Sequence, residues 1–184
     1  MRVLIADDES IIRMGLKSML QEMGHFVIAA RNGREAAQMA RKQRPDLAIL
    51  DINMPHMDGI RAAKELIQIR PIPIIMLTAF STDDLIEKAT NLPIQGYLVK
   101  PVNQGSLHAA IRVAQKRFQD TVAIQAESEK LALALETRKI VDRAKGKLML
   151  EKGLDEAAAY RLLQLRARES RKSLKDVASS LLAG

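Results

Sequence analysis

Residues 47–59 read Leu47-Ala-Ile-Leu-Asp-Ile-Asn-Met-Pro-His-Met-Asp-Gly59, an apolar run that ends in a carboxylate and a turn. Its first four residues show no polar alternation, which is typical of a strand covered on both faces of a parallel sheet. Further short apolar runs occupy residues 2–6, 26–30, 73–77 and 96–99. Together these runs predict a five-stranded parallel sheet.

Segments with the helical spacing of apolar residues separate these strands. The first runs from Ile11 to Met23 and ends at Gly24, and the fourth is a short helix over residues 83–91. The others lie around residues 36–40, 60–67 and 107–114. This alternation predicts a doubly wound α/β domain over residues 1–118, with its functional site outside the carboxyl ends of the strands.

Polar residues follow the predicted strands at that edge of the sheet. They are Asp7 and Asp8 after the first strand, Asp51 after the third, Thr78 after the fourth, and Lys100 with Pro101 after the fifth. A single Asp at a strand end is more often a helix N-cap, and a single Lys is more often a solvated charge. Convergence of all these positions on one edge favours a functional site.

The chemistry of these residue types suits phosphoryl transfer. Crowded carboxylates repel one another, and a hard cation such as Mg²⁺ relieves the repulsion. Asp51 can attack phosphorus and form an acyl phosphate, and Asn53 can offer its backbone carbonyl to the metal. Lys100 supplies positive charge and Thr78 a hydroxyl donor to the transferred group.

Four motifs strengthen this interpretation: Asp7-Asp8-Glu9, Asp51-Ile-Asn-Met-Pro with Asp58-Gly59, Thr78-Ala79, and Lys100-Pro101. With them, residues 1–118 resemble the response-regulator receiver domain, which has a flavodoxin-like fold. The resemblance implies that Asp51 is the phosphoacceptor and that a sensor histidine kinase is the phosphodonor. It also implies Asp8 as a direct ligand of Mg²⁺ and Asp7 as an outer one.

The same resemblance assigns the switch residues. It implies that Thr78 and Lys100 contact the phosphoryl group, and that the Lys100-Pro101 peptide bond is cis. Tyr97 takes the position of the aromatic switch residue, and packing in the core is the alternative role for its ring.

Composition limits the class of protein. The chain has no cysteine, which excludes disulfides and thiolate chemistry and fits a reducing cytoplasm. It has no apolar run of the roughly 18 residues that a membrane helix needs, and its N-terminus turns acidic too early for a signal peptide. We therefore expect a cytoplasmic protein with no membrane partner.

The charge of the chain is concentrated at its C-terminal end. Residues 137–184 hold 12 Lys and Arg against six acidic residues, which is +6 of the net charge of +7. Either solvated helix faces or a surface for a polyanion would explain this segment. The preceding linker, residues 119–136, places Ile124, Leu131 and Leu135 at spacings of seven and four. It is either a coiled-coil dimer stem or a solvated helical spacer, because it spans fewer than three heptads.

Residues 137–184 predict a small three-helix unit with no strand. Asp155 is expected to cap its second helix, and Ser173-Leu-Lys-Asp176 resembles a capping box for the third. Gly146 is expected to permit close helix packing, and Tyr160 to lie in the core. A unit of this size is expected to need support from the stem or a partner.

Several short motifs in this unit point to a family. They are Arg143-Ala-Lys-Gly-Lys-Leu-Met149, Ala157 with Tyr160-Arg-Leu-Leu163, Ala167, and Leu174 with Val177-Ala178. Together they resemble the ANTAR domain over about residues 125–182, and that domain binds RNA and antiterminates transcription. The predicted contacts to RNA hairpins are the basic residues Arg138, Arg143, Lys145, Lys147, Arg161, Arg166, Arg168, Arg171 and Lys172.

We expect phosphorylation of Asp51 to favour a homodimer that presents two such units to RNA. One alternative is a DNA-binding transcription factor, because the turn between the last two helices could form a helix-turn-helix. Another is a module that docks a protein. An enzyme is disfavoured, because the C-terminal unit has no convergent acid, base or nucleophile and His25, His56 and His108 are scattered.

Overall fold

The structure, a computed structural model, describes residues 1–79 and 93–183. The helix predicted over residues 83–91 lies outside these ranges. The chain divides into two compact units between Val122 and Ala123. Within the described ranges, none of the helices combines the length and apolar character needed to cross a bilayer.

The first unit is built on a parallel sheet. Its strands are β1 (Arg2–Ala6), β2 (Phe26–Ala30), β3 (Leu47–Asp51), β4 (Ile74–Thr78) and β5 (Gly96–Val99). Its connecting helices, where described, are α1 (Ser10–Glu22), α2 (Gly33–Gln43) and α3 (Gly59–Ile69). The strand order β2-β1-β3-β4-β5 confirms the doubly wound, flavodoxin-like sheet that the apolar runs predict.

Both faces of the sheet are covered, which explains why its strands lack polar alternation. Successive strand residues point to opposite faces, so Leu4 packs in one layer with α2 and α3, and Ile5 packs in the other with α1. That second layer is completed by the first turns of a long helix, α4 (Gln104–Lys152), through Leu107 and Ile111.

The second unit contains the rest of α4 with two shorter helices, α5 (Glu156–Ser170) and α6 (Leu174–Ala183). Its small core is Val141, Ala144, Leu148, Ala159, Leu163, Val177 and Ala178. Asp155 caps α5 by accepting from the backbone N–H of Ala158 at 2.6 Å. Ser173 Oγ accepts from the backbone N–H of Asp176 at 3.1 Å. Both predicted caps are confirmed.

Two packing predictions for this unit are wrong. Gly146 has no atom within 4 Å of the place where a Cβ would stand. It is two residues from the buried Ala144 and Leu148, so at about 100° per residue it faces the opposite side of α4. Tyr160 is 39% exposed, because it follows the buried Ala159 and is turned by about 100° from the core.

Candidate functional site

Three carboxylates meet at the carboxyl edge of the sheet. Asp7 follows β1 and Asp51 ends β3, and these neighbouring strands pair Ala6 with Leu50 in parallel register. Asp7 and Asp51 are buried, whereas Asp8 is exposed. Each of the three offers a carboxylate oxygen that lies within 4.8 Å of the other two. Strand pairing therefore produces the acidic cluster that the sequence predicts.

Lys100 places its ammonium inside this cluster. Its Nζ lies 2.8 Å from Asp51 Oδ2 and 2.9 Å from Asp7 Oδ2. The backbone N–H of Lys100 donates to the Thr78 carbonyl at 2.9 Å, which fixes the end of β5 beside β4. Only 12% of the Lys100 side chain is exposed, so these ion pairs are poorly screened by water.

The charges of the cluster shift the pKa values of its members. Burial raises the pKa of Asp51 above its ordinary value, and the nearby Lys100 opposes this shift only in part. Burial alone would lower the pKa of Lys100, but its hydrogen bond to Asp51 and the negative charges of Asp51 and Asp7 outweigh burial and raise it. The site therefore holds Lys100 charged and stabilises cations close to Asp51.

The same donors suit Mg²⁺. Asp7 Oδ2 is buried and receives no well-directed hydrogen bond, although Lys100 lies close to it, so it retains capacity for a cation. Asn53 is exposed beside the cluster, and its backbone N–H donates to Asp51 Oδ1 at 3.4 Å. A set of carboxylate and carbonyl oxygens with access to water is the coordination that Mg²⁺ prefers.

Thr78 and Tyr97 lie near this edge but make no bond to the carboxylates. The Thr78 hydroxyl donates to the Ala79 carbonyl at 3.0 Å. Tyr97 is 39% exposed, so its ring is not a core residue, and partial burial raises its pKa. The Lys100-Pro101 peptide bond is cis, as the resemblance to receivers implies.

Two residues to which the sequence prediction gives no individual role support the cluster. Arg13 donates through its guanidinium to the carbonyls of Asp7 at 2.6 Å and Asp8 at 3.3 Å, which fixes the acidic turn. Glu9 Oε1 lies 3.4 Å from Lys100 Nζ. The position of Arg13 in the first helical turns after three acidic residues is the signal that could have identified it.

The predicted RNA contacts fall into distinct environments in the second unit. Six of them are exposed: Arg138, Arg143, Arg161, Arg168, Arg171 and Lys172. Lys145 is paired with Asp142 and Glu156, each at 2.7 Å. Lys147 donates to the Leu181 carbonyl at 2.9 Å, and it lines a cleft of about 790 Å³ with Arg166 and Lys172. The predicted contacts therefore differ in exposure and in the groups that they contact.

Comparison with known families agrees with this geometry. The response regulator receiver domain matches residues 3–112, and the ANTAR domain matches residues 129–182. Both are regulatory domains. Receiver domains typically bind Mg²⁺ at an acidic pocket, and they accept phosphate from histidine kinases.

Some relatives match nearly the whole chain, and others match about 60% of it. The transcriptional regulatory protein PdtaR of Mycobacterium tuberculosis is 44% identical over 98% of this chain and 89% of its own length. The probable transcriptional regulator ycf27 of Guillardia theta is 40% identical over 63% of this chain and 46% of its own length. The chemotaxis protein CheY4 of Vibrio cholerae is 35% identical, with a TM-score of 0.57, over 60% of this chain and 95% of that one. The chain therefore belongs to the phosphorylation-controlled response regulators in which a receiver domain precedes an RNA-binding ANTAR antitermination domain.

Proposed function

We propose that Asp51 accepts a phosphoryl group from a sensor histidine kinase, and that this event switches RNA hairpin binding by residues 137–184. The main support is the meeting of Asp7, Asp51 and Lys100 at the strand ends, where Lys100 Nζ lies within 3 Å of a carboxylate oxygen of each Asp. The ANTAR match over residues 129–182 supports the RNA output.

The acidic cluster is arranged for acceptance of phosphate. A carboxylate oxygen of Asp51 forms the new O–P bond as the P–N bond of the kinase phosphohistidine breaks. Asp8, Asp51 and the Asn53 carbonyl would hold Mg²⁺, with Asp7 as an outer ligand, and the ion would supply charge neutralisation to the transferred group. Lys100 remains charged beside Asp51 and stabilises the phosphoryl oxygens.

Phosphorylation then has to reach the switch residues. The hydroxyl of Thr78 donates to a neighbouring carbonyl, and this weak local bond can be exchanged for one to a phosphoryl oxygen. Tyr97, which is partly exposed, follows this rearrangement as the aromatic switch residue. The observed hydrogen bond of Thr78 and the observed exposure of Tyr97 then belong to the unphosphorylated state.

The phosphorylated chain dimerises through the exposed apolar stripe of α4. The side chains of Ile124, Leu131 and Leu135 are 69%, 64% and 56% exposed, and their spacings of seven and four place them on one side of the helix. Pairing two such stripes in parallel removes apolar surface from water. The pattern spans fewer than three heptads, so the stem needs the receiver to complete the dimer.

A phosphodonor experiment tests this function. The protein is incubated with Mg²⁺ and acetyl phosphate, and mass spectrometry measures the gain of one phosphoryl group. Affinity for RNA hairpins is then measured by fluorescence anisotropy. Asp51→Asn is the control, and it should neither gain the group nor change its RNA affinity. Equal labelling of Asp51→Asn and wild type would exclude Asp51 as the acceptor.

DNA binding is the second candidate, because α5 and α6 are joined by only three residues, 171–173. Short turns of this length occur in helix-turn-helix elements. Competition between hairpin RNA and duplex DNA at one moderate salt concentration separates the two functions. Preference for RNA hairpins supports our proposal, and preference for the duplex would replace it with DNA recognition.

A further inference from the structure

The three-helix unit carries an open groove that its own core does not fill. The groove has a volume of about 530 Å³ and is lined by side chains of α4, α5 and α6. Among its lining residues are Lys130, Leu133, Arg138, Val141, Tyr160 and Leu174. We call it the Tyr160 groove. Its volume falls in the range of ligand-binding clefts.

Tyr160 gives the groove a flat aromatic surface. It is the only aromatic residue after Phe118 in the chain, and it is 39% exposed although it lies beside the core of the unit. A partly exposed ring next to aliphatic side chains offers a stacking surface for an unpaired nucleic acid base.

Lys145 fixes the position of the ring and does not serve as a free phosphate contact. Its Nζ lies 6.0 Å from the Tyr160 ring centroid, within the range of a cation–π interaction. Two carboxylates, those of Asp142 and Glu156, each lie 2.7 Å from the same Nζ. Because its charge is matched by these acids, Lys145 is a positioning residue.

Other cations at the groove are available to phosphates. The Arg138 side chain is 82% exposed, and its nearest carboxylate, that of Asp142, is 3.8 Å away. Lys130 is exposed at the other end of the same face of α4. With Lys145 and Asp142 included, the ionisable groups lining the groove carry a net positive charge, which complements an RNA backbone.

Part of the groove faces away from the apolar stripe of α4. Leu133 lines the groove, and it is two residues from both Leu131 and Leu135 of the apolar stripe. At about 100° per residue, its side chain points to the opposite side of α4. Arg138 also lines the groove but follows Leu131 by seven residues, so it lies on the stripe side of the helix. A second copy paired on the stripe would therefore leave the Leu133 side of the groove open.

The larger cleft of the unit is less suited to a base. It brings Lys147, Arg166 and Lys172 together with the carboxylates of Glu151 and Glu169. Those carboxylates repel phosphate, and none of the residues that line this cleft is aromatic.

We propose that the Tyr160 groove receives one unstacked base of an RNA loop, which stacks on Tyr160 while Lys130 and Arg138 bind the flanking phosphates. This inference rests on the RNA-binding function proposed above and specifies its ligand as a single-stranded loop. Duplex RNA cannot enter in this way, because its bases remain stacked and paired.

Substitution of Tyr160 in the full-length chain tests the groove. The probe is a pool of RNA hairpins with one fixed stem and a randomised loop, and anisotropy measures its affinity. Tyr160→Leu keeps apolar bulk but removes the ring, and we expect it to weaken binding about 10-fold or more. Tyr160→Phe keeps the ring and should stay within about twofold of wild type. Leu165→Ala is the control, because Leu165 is an exposed apolar residue of α5 that does not line the groove, and it should bind the pool like wild type.

The outcomes separate this inference from the function on which it rests. If wild type binds the pool and Tyr160→Leu binds it equally well, the Tyr160 groove is not the base-binding site, although the proposed RNA binding still stands. Failure of wild type to prefer hairpins over the loop-free duplex would overturn the proposed function itself. Loss of dimer mass in Tyr160→Leu would show that the groove is an interface between copies, which also contradicts the inference. Thermal unfolding monitored by circular dichroism verifies that the variants are folded.

Discussion

Lys100 is the residue on which the acidic cluster depends. Its ammonium lies between two buried carboxylates, those of Asp7 and Asp51, at 2.9 and 2.8 Å. Without it these groups would share a poorly hydrated space with no cation, which is costly because the desolvation of charge is then uncompensated. One side chain thus compensates the charge of two buried carboxylates at once.

Replacement of Lys100 by Met should destabilise the receiver in buffer that contains a chelator. We expect a loss of about 3 kcal/mol in the free energy of unfolding at neutral pH, because buried carboxylates lose their partner. Urea denaturation followed by circular dichroism measures it. Lys116→Met is the control, since Lys116 pairs with Asp120 on the surface and should cost less than about 1 kcal/mol. Equal losses in the two variants would contradict the role of Lys100.

The effect of Lys100 should also depend on pH. Its pKa is raised in the folded state, so its contribution is present below its ordinary value and is lost only as the pH rises through the raised one. As the pH falls, the ion pair is lost when Asp51 is protonated. Because the pKa of Asp51 is raised, this happens at a higher pH than for an ordinary Asp. The difference between wild type and Lys100→Met should therefore shrink as the pH falls towards the ordinary Asp range. A constant difference down to that range would exclude a charge-based origin.

Mg²⁺ should stabilise the receiver through the exposed carboxylate of Asp8. A ligand that binds only the folded state raises the midpoint of thermal unfolding as its concentration increases. We expect this increase in wild type and little or none in Asp8→Asn, measured by calorimetry. Asp120→Asn, on the surface away from the cluster, should respond to Mg²⁺ like wild type. A full response of Asp8→Asn would remove Asp8 from the metal site.

The sequence predicts the positions of the site better than its hydrogen bonds. The locations of Asp7, Asp51 and Lys100 follow from strand ends, because parallel strands bring those ends to one edge. The rotamer of Thr78 and the exposure of Tyr97 depend on local packing that no periodicity encodes. Arg13 escaped prediction for the same reason, since it acts on backbone carbonyls rather than on a recognisable motif.

The start of α3 is the element that fixes Asp51. The backbone N–H of Gly59 donates to the Ile52 carbonyl at 3.0 Å, and Asp58 caps the helix by accepting from Arg61 N–H at 2.7 Å. A Cβ on Gly59 would overlap the Asp51 carbonyl. The helix can approach the strand that ends in Asp51 this closely only with glycine at this position.

Alanine scanning of two glycines tests this contact. Gly59→Ala should lower the free energy of unfolding by about 2 kcal/mol or more, because overpacking displaces backbone. Gly15→Ala is a matched substitution inside α1 with no atom within 4 Å of the new Cβ. It should instead raise stability by about 0.5–1 kcal/mol, since alanine favours helix more than glycine does. Thermal unfolding of both variants measures the predicted loss of stability in Gly59→Ala and the predicted gain in Gly15→Ala. Equal destabilisation by the two substitutions would contradict the role of Gly59.

Element boundaries follow the sequence where a backbone rule applies. The apolar run predicts a fourth strand over residues 73–77, but β4 begins at Ile74. Pro73 has no N–H to donate to a ladder, although its carbonyl accepts from Ala48 at 3.0 Å. The exposure of Tyr160 and the open space at Gly146 were mispredicted, because the sequence does not show which side of an amphipathic helix faces its neighbours at each position.

One helix, α4, belongs to both units of the molecule. It runs without a break from Gln104 to Lys152, as the absence of proline and near absence of glycine over this stretch predict. Its middle carries the exposed stripe of Ile124, Leu131 and Leu135.

Truncation of the stripe should weaken the phosphorylated dimer. The double substitution Leu131→Ala and Leu135→Ala removes apolar area that pairing would bury. We therefore expect the dissociation constant of the dimer to rise about 10-fold or more. Light scattering after size exclusion, with acetyl phosphate present, measures the mass. Leu150→Ala is the control, because Leu150 is equally apolar and exposed on α4 but lies outside the stripe. Identical dimerisation of both variants would exclude the stripe as the stem.

The coupling between phosphorylation of Asp51 and RNA binding is the central claim, and one titration measures it most directly. Hairpin RNA is titrated with wild type and with Asp51→Asn, each with and without acetyl phosphate and Mg²⁺. The account predicts that the phosphodonor strengthens binding by wild type about 10-fold, a coupling free energy of about 1.4 kcal/mol, and leaves Asp51→Asn unchanged. Equal affinity of wild type with and without the phosphodonor, once mass spectrometry shows Asp51 to be phosphorylated, would contradict it.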